Sequence, residues 1–306
     1  MGRIIDSEAH AWIRIPANWR HRSSSDEKRS PLSPRAAACY RPSRPAADGS
    51  YPAPEDTSAD LLQAMDRHDI DMTVIYPGAH MSSNDEIARV VASAPGRFIG
   101  FGKYGSAVPP FQSRQEVQAA HDEIEHGLRD HGFRGIAEMS CEQWWPEPPE
   151  SAIDGLRPMF EICKKYSACV VVHAHAGGGA KNIRYCDPDL FRPLIVDFPA
   201  VPLILNHMGG ARDDFFAAAM DVARKHDNVR FNTSQTTPEN LTQAVREIGA
   251  ERIFFGTDWY GLDTPETPEV NQHSKQLAIV EKAKMSDRER ELVLGESIAA
   301  FLGLPR

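Results

Sequence analysis

Cysteine is scarce and scattered. The five residues, Cys39, Cys141, Cys163, Cys169 and Cys186, form no CxxC pair, so neither a disulfide framework nor a zinc finger is indicated and a reducing cytoplasm is the expected setting. No stretch reaches the roughly 20 consecutive apolar residues of a membrane helix. The N-terminus, MGRIIDSEAH, meets a carboxylate and a histidine within its first ten residues, so secretion and membrane spanning are both disfavoured. Positive charge is also short: 34 Lys and Arg against 43 Asp and Glu leave a formal charge of −9. That balance argues against nucleic acid or an anionic membrane as a partner. No GxGxxG turn follows the first apolar strand, which removes the sequence signature of a dinucleotide site. What the 306 residues do hold is 12 His and 5 Trp, and their positions matter more than their number.

Short apolar runs of strand length recur down the chain, each followed by a polar or Gly-rich turn and a segment of helical spacing. Strands are predicted near Arg3–Asp6, Met72–Tyr76, Phe98–Phe101, Gly135–Glu138, Cys169–His173, Pro202–Asn206, Val229–Asn232 and Ile253–Gly256. Helices are predicted over Thr57–His68, Asn84–Ala94, Ser113–His131, Ser151–Ser167, Asp187–Phe198, Asp213–His226, Pro238–Ile248, Pro268–Ala283 and Asp287–Leu302. Eight strands alternating with helices over this length specify an α/β fold of the (β/α)8 barrel type, with an open doubly wound sheet as the alternative. A single domain spanning residues 1–306 is expected. One segment breaks the rhythm: Ala11–Thr57 has no periodicity and holds seven Pro and seven Arg. Inserted after the first strand, it would stand at the catalytic face of a barrel, and it reads as a lid.

Catalytic groups of such barrels sit at strand C-termini. Strand 1 runs into DSEAH, offering Glu8 and His10, whose i, i+2 spacing sends both side chains the same way. Strand 4 ends in Glu138, strand 5 in His173 followed by His175, strand 6 leads to His207, and strand 8 leads to Asp258. Any one of these has an ordinary structural role open to it, as a hydrogen-bonded His, an interior ion-pair partner or a turn cap. Together they converge on one point with the donor types that Zn²⁺ or Mn²⁺ takes. Cysteine catalysis is not expected, because Cys163 falls on a helix and Cys169 at the start of a strand. His68, His121, His126, His131 and His226 fall on or at the ends of helices and read as surface or capping residues.

The set IIDSEAH, VVVHAHAGG, LILNHMGG and RIFFGTDW, in this order over essentially the whole chain, resembles the amidohydrolase superfamily. The likeness is to the amidohydrolase-related branch that includes the aminocarboxymuconate-semialdehyde decarboxylase-like proteins. It implies Glu8, His10, His173 and Asp258 as ligands of one divalent ion, Zn²⁺ first and Mn²⁺ second, with Asp258 also handling protons. It implies His207 as a ligand or as a group acting from behind the ligands. Glu138, His175 and His207 are candidates for a second metal or for supporting the first. The first-strand pair is usually His-x-His; Glu8 replaces the first His, as in some aromatic-acid decarboxylases. No Lys ends strand 4, so a carbamylated-lysine bimetal site is not expected.

These residues suit a hydrolase in which Asp258 accepts a water proton and His207 stabilises a developing oxyanion on an amide, ester or lactone. They suit almost equally a nonoxidative decarboxylase of an aromatic or unsaturated acid, and an inactive binding barrel is a third reading. All five Trp follow predicted strands: Trp12, Trp19, Trp144, Trp145 and Trp259. They read either as loop packing or as the wall of a pocket for a flat ring. Arg14, Arg184 and Arg212, also after strands, are candidates to clamp a substrate carboxylate. The expected partner is a small molecule; a homodimer or higher homo-oligomer stays open.

Overall fold

The computed structural model describes residues 2–14, 54–77, 83–103, 114–139, 153–175, 186–259 and 272–305. Strand β1 (Ile5–Ala9) leads into a short antiparallel hairpin of β2 (Trp12–Arg14) and β3 (Pro54–Asp56). This hairpin joins the two ends of the Pro/Arg-rich insertion. Residues 15–53, and with them the expected lid, lie outside the described residues. There follow α1 (Ser58–Arg67), β4 (Met72–Ile75), α2 (Asn84–Ser93), β5 (Phe98–Gly100), α3 (Arg114–Arg129) and β6 (Gly135–Met139). The second half comprises α4 (Arg157–Tyr166), β7 (Cys169–His173), α5 (Arg192–Asp197), β8 (Leu203–Asn206), α6 (Asp213–Lys225), β9 (Val229–Asn232), α7 (Pro238–Ile248) and β10 (Ile253–Phe254). It ends with α8 (Gln272–Lys282), α9 (Asp287–Glu291), a single π-helical turn over Leu292–Glu296, and α10 (Ser297–Phe301).

All pairings other than the hairpin are parallel. They form a three-stranded run, β1-β4-β5, and a five-stranded run, β10-β9-β8-β7-β6. The two runs meet at both edges. Ala9 bridges Trp259 and Gly102 bridges Ile136. Ser7 N donates to Phe255 O at 2.7 Å on one seam, and Gly102 N to Gly135 O at 2.8 Å on the other. The ladder therefore runs round an eight-stranded barrel of the TIM type.

The strands form where β-branched and aromatic residues cluster, and the helices begin on good caps. Ser83 and Glu86 make a reciprocal capping box on α2, and Thr237 caps α7 ahead of Pro238. The predicted helix over Asp187–Phe198 opens as a 3-10 turn on Pro188 before α5 begins, and α4 follows a 3-10 turn over Asp154–Leu156 with Pro158 in its first turn. The terminal helix runs on as one helical piece, as expected, with the π turn inserted in its middle. A Cβ on Gly295 within that turn would lie 2.0 Å from Arg3 O, so only glycine lets this helix close on the start of β1.

Two apolar layers result. The larger lies between the strands and the helices, with Leu61, Phe160, Leu194, Leu205 and Trp259 among its members. The smaller fills the barrel interior, where Ile5, Val74, Ile99, Phe101, Val171, Ile204 and Phe254 meet under Ile298 and Leu302. Two residues further along β7 and β8, on the same face, stand His173 and Asn206. The strand period alone thus places a polar floor above the apolar plug.

Candidate metal centre

Two register breaks aim the carboxylates. The β1–β4 ladder is irregular between Asp6 and Ala9, and the β6–β7 ladder between Ile136 and Met139. Glu8 and Glu138 lie inside these irregularities, which turn side chains inward as bulges beside active sites do. Glu8 is completely buried. Its Oε1 accepts from Asn206 Nδ2 at 2.8 Å, and its Oε2 accepts from Asn232 Nδ2 at 2.7 Å and Ser234 Oγ at 2.6 Å. Asn206 Nδ2 also donates to Glu138 Oε1 at 2.8 Å. Asp6, two residues before Glu8, accepts from Thr257 N at 2.9 Å and Thr257 Oγ1 at 2.6 Å. That contact fixes the loop that carries Asp258.

His173 Nδ1 lies 3.1 Å from Glu138 Oε1 and 3.0 Å from His207 Nε2. His207 Nε2 is 3.4 Å from Glu138 Oε1. Asp258 is buried, with Oδ2 accepting from Gln235 Nε2 and Oδ1 3.7 Å from His10 Nε2. No donor among the described residues hydrogen-bonds that Oδ1. His207 and Asp258 both hold left-handed backbone, at φ 63° and 55°. That conformation is costly for residues with a side chain and persists where the surroundings dictate it. After His207 the chain turns through Gly209 and Gly210, where a Cβ on Gly210 would sit 2.1 Å from His175 Nδ1. Gly210 is needed for His175 to approach, whereas a Cβ on Gly209 would strike the backbone of Phe215 and Phe216.

The charges explain why a cation belongs here. Burial, and then Asp258 and Glu138, push Glu8 well above the usual carboxylate range. Burial also works to raise Glu138 and Asp258, but their imidazole neighbours outweigh it and hold both low: His173 and His207 for the first, His10 and His207 for the second. Three buried carboxylates at one point cannot all ionise against each other unless positive charge joins them. One ligand atom each from Glu8, His207 and Asp258 lies within 4.8 Å of the others, and the same holds for Glu8, His10 and Glu138 and for Glu138, His173 and His207. The donor set, the mutual approach and the orphan oxygen of Asp258 all fit a divalent ion.

Ser234 settles how His207 presents itself. Its Oγ lies 2.6 Å from the Glu8 carboxylate and 2.7 Å from His207 Nδ1. With Glu8 ionised, as a bound cation would keep it, the single hydroxyl proton goes to the carboxylate at the shorter distance. His207 Nδ1–H then donates to Ser234, and Nε2 carries its lone pair toward Glu138 and His173. His175 stands beside this group, its ring centroid 5.6 Å from that of His207, and burial followed by the charges of His207 and His173 lowers it to about 4.

The structure thus brings together Glu8, His10, Glu138, His173, His175, His207 and Asp258. The donors Asn206, Asn232, Ser234 and Gln235 were not singled out from the sequence. Their signal was present, because Asn206 and Asn232 end adjacent strands and Ser234 follows at i+2. Trp259 is buried in the outer core. Arg212 is turned outward, its Nε and Nη2 on Asp214 at 3.0 and 2.6 Å and its guanidinium over the Phe215 ring. Trp12 and Arg14 are described only in their backbone. Trp19, Trp144, Trp145 and Arg184 lie outside the described residues. The thiols of Cys163 and Cys169 are buried and both pushed up, that of Cys169 to about 12, which leaves them protonated and poor nucleophiles.

Residues 5–304 match the family model described as Amidohydrolase. The chain belongs to the amidohydrolase family and is a metal-dependent enzyme of that superfamily. Among solved structures it is similar to 5-carboxyvanillate decarboxylase from Sphingomonas paucimobilis, at 18% identity and TM-score 0.63 with 100% of each chain covered. It is also similar to 4-oxalomesaconate hydratase from Rhodopseudomonas palustris, at 17% identity and TM-score 0.62, covering 98% of this chain and 95% of that one. A third likeness is to an amidohydrolase from Burkholderia multivorans with bound zinc, at 15% identity and TM-score 0.63, covering 99% and 100%. At these identities the likeness shows the shared barrel. A search of curated proteins returns no match. No helix among the described residues is long and apolar enough to cross a membrane.

Proposed function

We propose that the chain is a divalent-metal-dependent hydrolase that cleaves an amide, ester or lactone bond in a small cyclic or aromatic acid-type substrate. One observation carries this reading: Asp258 is a buried carboxylate with one oxygen anchored by Gln235 and the other free of any hydrogen-bond donor among the described residues. An acceptor in that position is suited to take a proton and give it back. Glu8, His10, His173 and Asp258 would hold the metal, with Zn²⁺ preferred and Mn²⁺ next for a mixed imidazole and carboxylate set. When bound, that ion supplies the positive charge that acidifies a water near neutral pH.

Asp258 Oδ1 then receives the proton of the attacking water and passes it to the leaving group. Glu8, with both oxygens occupied by Asn206, Asn232 and Ser234, stays fixed and does not shuttle protons. His207 presents Nε2 to the centre, and His175 closes one side of it. Trp12 and Trp144 are assigned to the substrate ring, and Arg14 and Arg184 to its carboxylate.

A second reading, nonoxidative decarboxylation, is favoured by Glu8 standing where related barrels usually carry histidine. There Asp258 would deliver a proton to the ring carbon as the bond to the departing carboxylate breaks and CO₂ leaves. A panel of aromatic lactones, esters, amides and free acids, assayed with Zn²⁺ and with Mn²⁺, separates the two. Acid release without CO₂ is the expected result. CO₂ release from free acids establishes the second reading instead, and turnover of neither class by metal-loaded protein supports the binding barrel.

A further inference from the structure

Outside the barrel, His126 and His131, read from the sequence as surface or capping residues, meet Asp85 at one point. Asp85 lies in the first turn of α2, His126 in the last turn of α3, and His131 in the turn that leads to β6. The Nε2 atoms of both histidines converge on a single oxygen, Asp85 Oδ1, at 3.1 and 2.8 Å. Their ring centroids are 4.5 Å apart at an interplanar angle of 69°. One ligand atom from each residue falls within 4.8 Å of the others. Donors about 2.0–2.1 Å from a tetrahedral Zn²⁺ stand roughly 3.3 Å from one another, close to the spacing found here.

The surroundings are arranged as they are behind metal-bound histidines. His126 Nδ1 lies 2.8 Å from Asp130 Oδ2, and Asp130 is in turn gripped by Arg129 Nε and Nη2, both at 2.8 Å. A carboxylate on Nδ1 fixes the N–H there and leaves the Nε2 lone pair facing outward. Without a cation, His126 faces carboxylates through both ring nitrogens and needs a proton on each. A divalent ion would replace the Nε2 proton. Next to Asp85, Asn84 Nδ2 donates to Glu123 O at 2.8 Å, and Asn84 Oδ1 accepts from Lys103 N at 2.9 Å. The corner that joins α2, α3 and the end of β5 is thus already tied together. The side chains are 65%, 43% and 21% exposed for Asp85, His126 and His131, so an ion has an open route and room for water in its remaining position.

We propose that Asp85, His126 and His131 form a second divalent-metal site, separate from the catalytic centre, that takes Zn²⁺ or a similar borderline ion and staples α2 to α3. Two imidazoles and one carboxylate select this class of ion over Ca²⁺ or Mg²⁺.

The test is a Zn²⁺ titration of the full metal-stripped chain against a chromophoric chelator, comparing the wild type with His126→Ala/His131→Ala. The double variant is expected to bind one equivalent fewer. Asp130→Asn is expected to keep the equivalent but weaken it by about 10- to 100-fold. Because the reading is a difference between two forms, it stands whatever the interior centre binds. His126→Gln, with circular dichroism matched to the wild type, guards against loss of fold and is expected to lose the same equivalent. Equal stoichiometry and affinity in wild type and variants would show that the three residues form only an ion-paired cluster and overturn the proposal.

Discussion

The two ends of the barrel interior are built from the same strands and differ in almost everything else. At one end Ile5, Val171, Ile204 and Phe254 form a closed apolar plug. Two residues further along β7 and β8 the inward positions are His173 and Asn206, joined by Glu8, Glu138, His207 and Asp258. The apolar end gains by removing surface from water, at about 25 cal/mol per Å². The polar end stacks like charges in a buried space and leaves one carboxylate oxygen without a donor among the described residues, an arrangement that is costly unless a cation joins it. Stability is concentrated at one end and chemistry at the other. Substitutions at the two ends should therefore have opposite profiles.

The largest effect is expected at the polar end. Asp258→Asn should lower kcat/KM by about 10²- to 10⁴-fold with little change in Tm, measured by steady-state kinetics beside a thermal melt. At the apolar end, Ile204→Ala should cost about 2–5 kcal/mol of stability in denaturant titration and leave Zn²⁺ affinity unchanged. If it also weakened metal binding strongly, the two ends would not be separable. Ser234→Ala removes the group that fixes the His207 tautomer and anchors Glu8. A fall in Zn²⁺ affinity of about 10- to 100-fold is expected, with a cooperative melt retained, and competition with a chelator reads it directly.

A pH profile sharpens the contrast. His175 is lowered to about 4 in the fold. Between its ordinary value of 6.5 and 4, the unfolded chain therefore takes up a proton that the folded chain refuses, and stability falls as pH drops through that window. His175→Gln should flatten this part of the profile, read from unfolding titrations of the metal-free forms at pH 7 and pH 4.5. The Ile204→Ala deficit should stay constant across the same range. The smallest effect belongs to the outer surface: Arg212→Ala breaks an exposed pair with Asp214 and should change stability by less than about 1 kcal/mol. An unchanged KM in that variant would remove Arg212 from the carboxylate clamp.

Much of the fold could be read from the residues because the barrel repeats one signal. All eight barrel strands lie where short runs of Val, Ile, Leu and Phe predict them, and α7 runs over Pro238–Ile248 as expected. The misses have physical reasons. Strand β1 continues to Ala9 rather than stopping at Asp6 because Ser7 and Glu8, polar yet buried, break the apolar pattern. The β2–β3 pairing joins residues 40 to 44 apart in sequence, a distance no local pattern spans. The acidic and imidazole groups of the centre were legible because five strands end in them. The amides and hydroxyl that hold those groups were not, since Asn and Ser at a strand end read equally well as turn formers. The Asp85, His126 and His131 cluster was hidden because its members come from two helices and a turn, and only packing brings them together.

The chemistry proposed for the polar end requires a divalent ion held there by Glu8, His10, His173 and Asp258. The direct measurement is metal content per chain by mass spectrometry in a His126→Ala/His131→Ala background, with and without Glu8→Ala plus Asp258→Ala. One equivalent in the first form and none in the second is the predicted result. Equal metal content in both forms would contradict it.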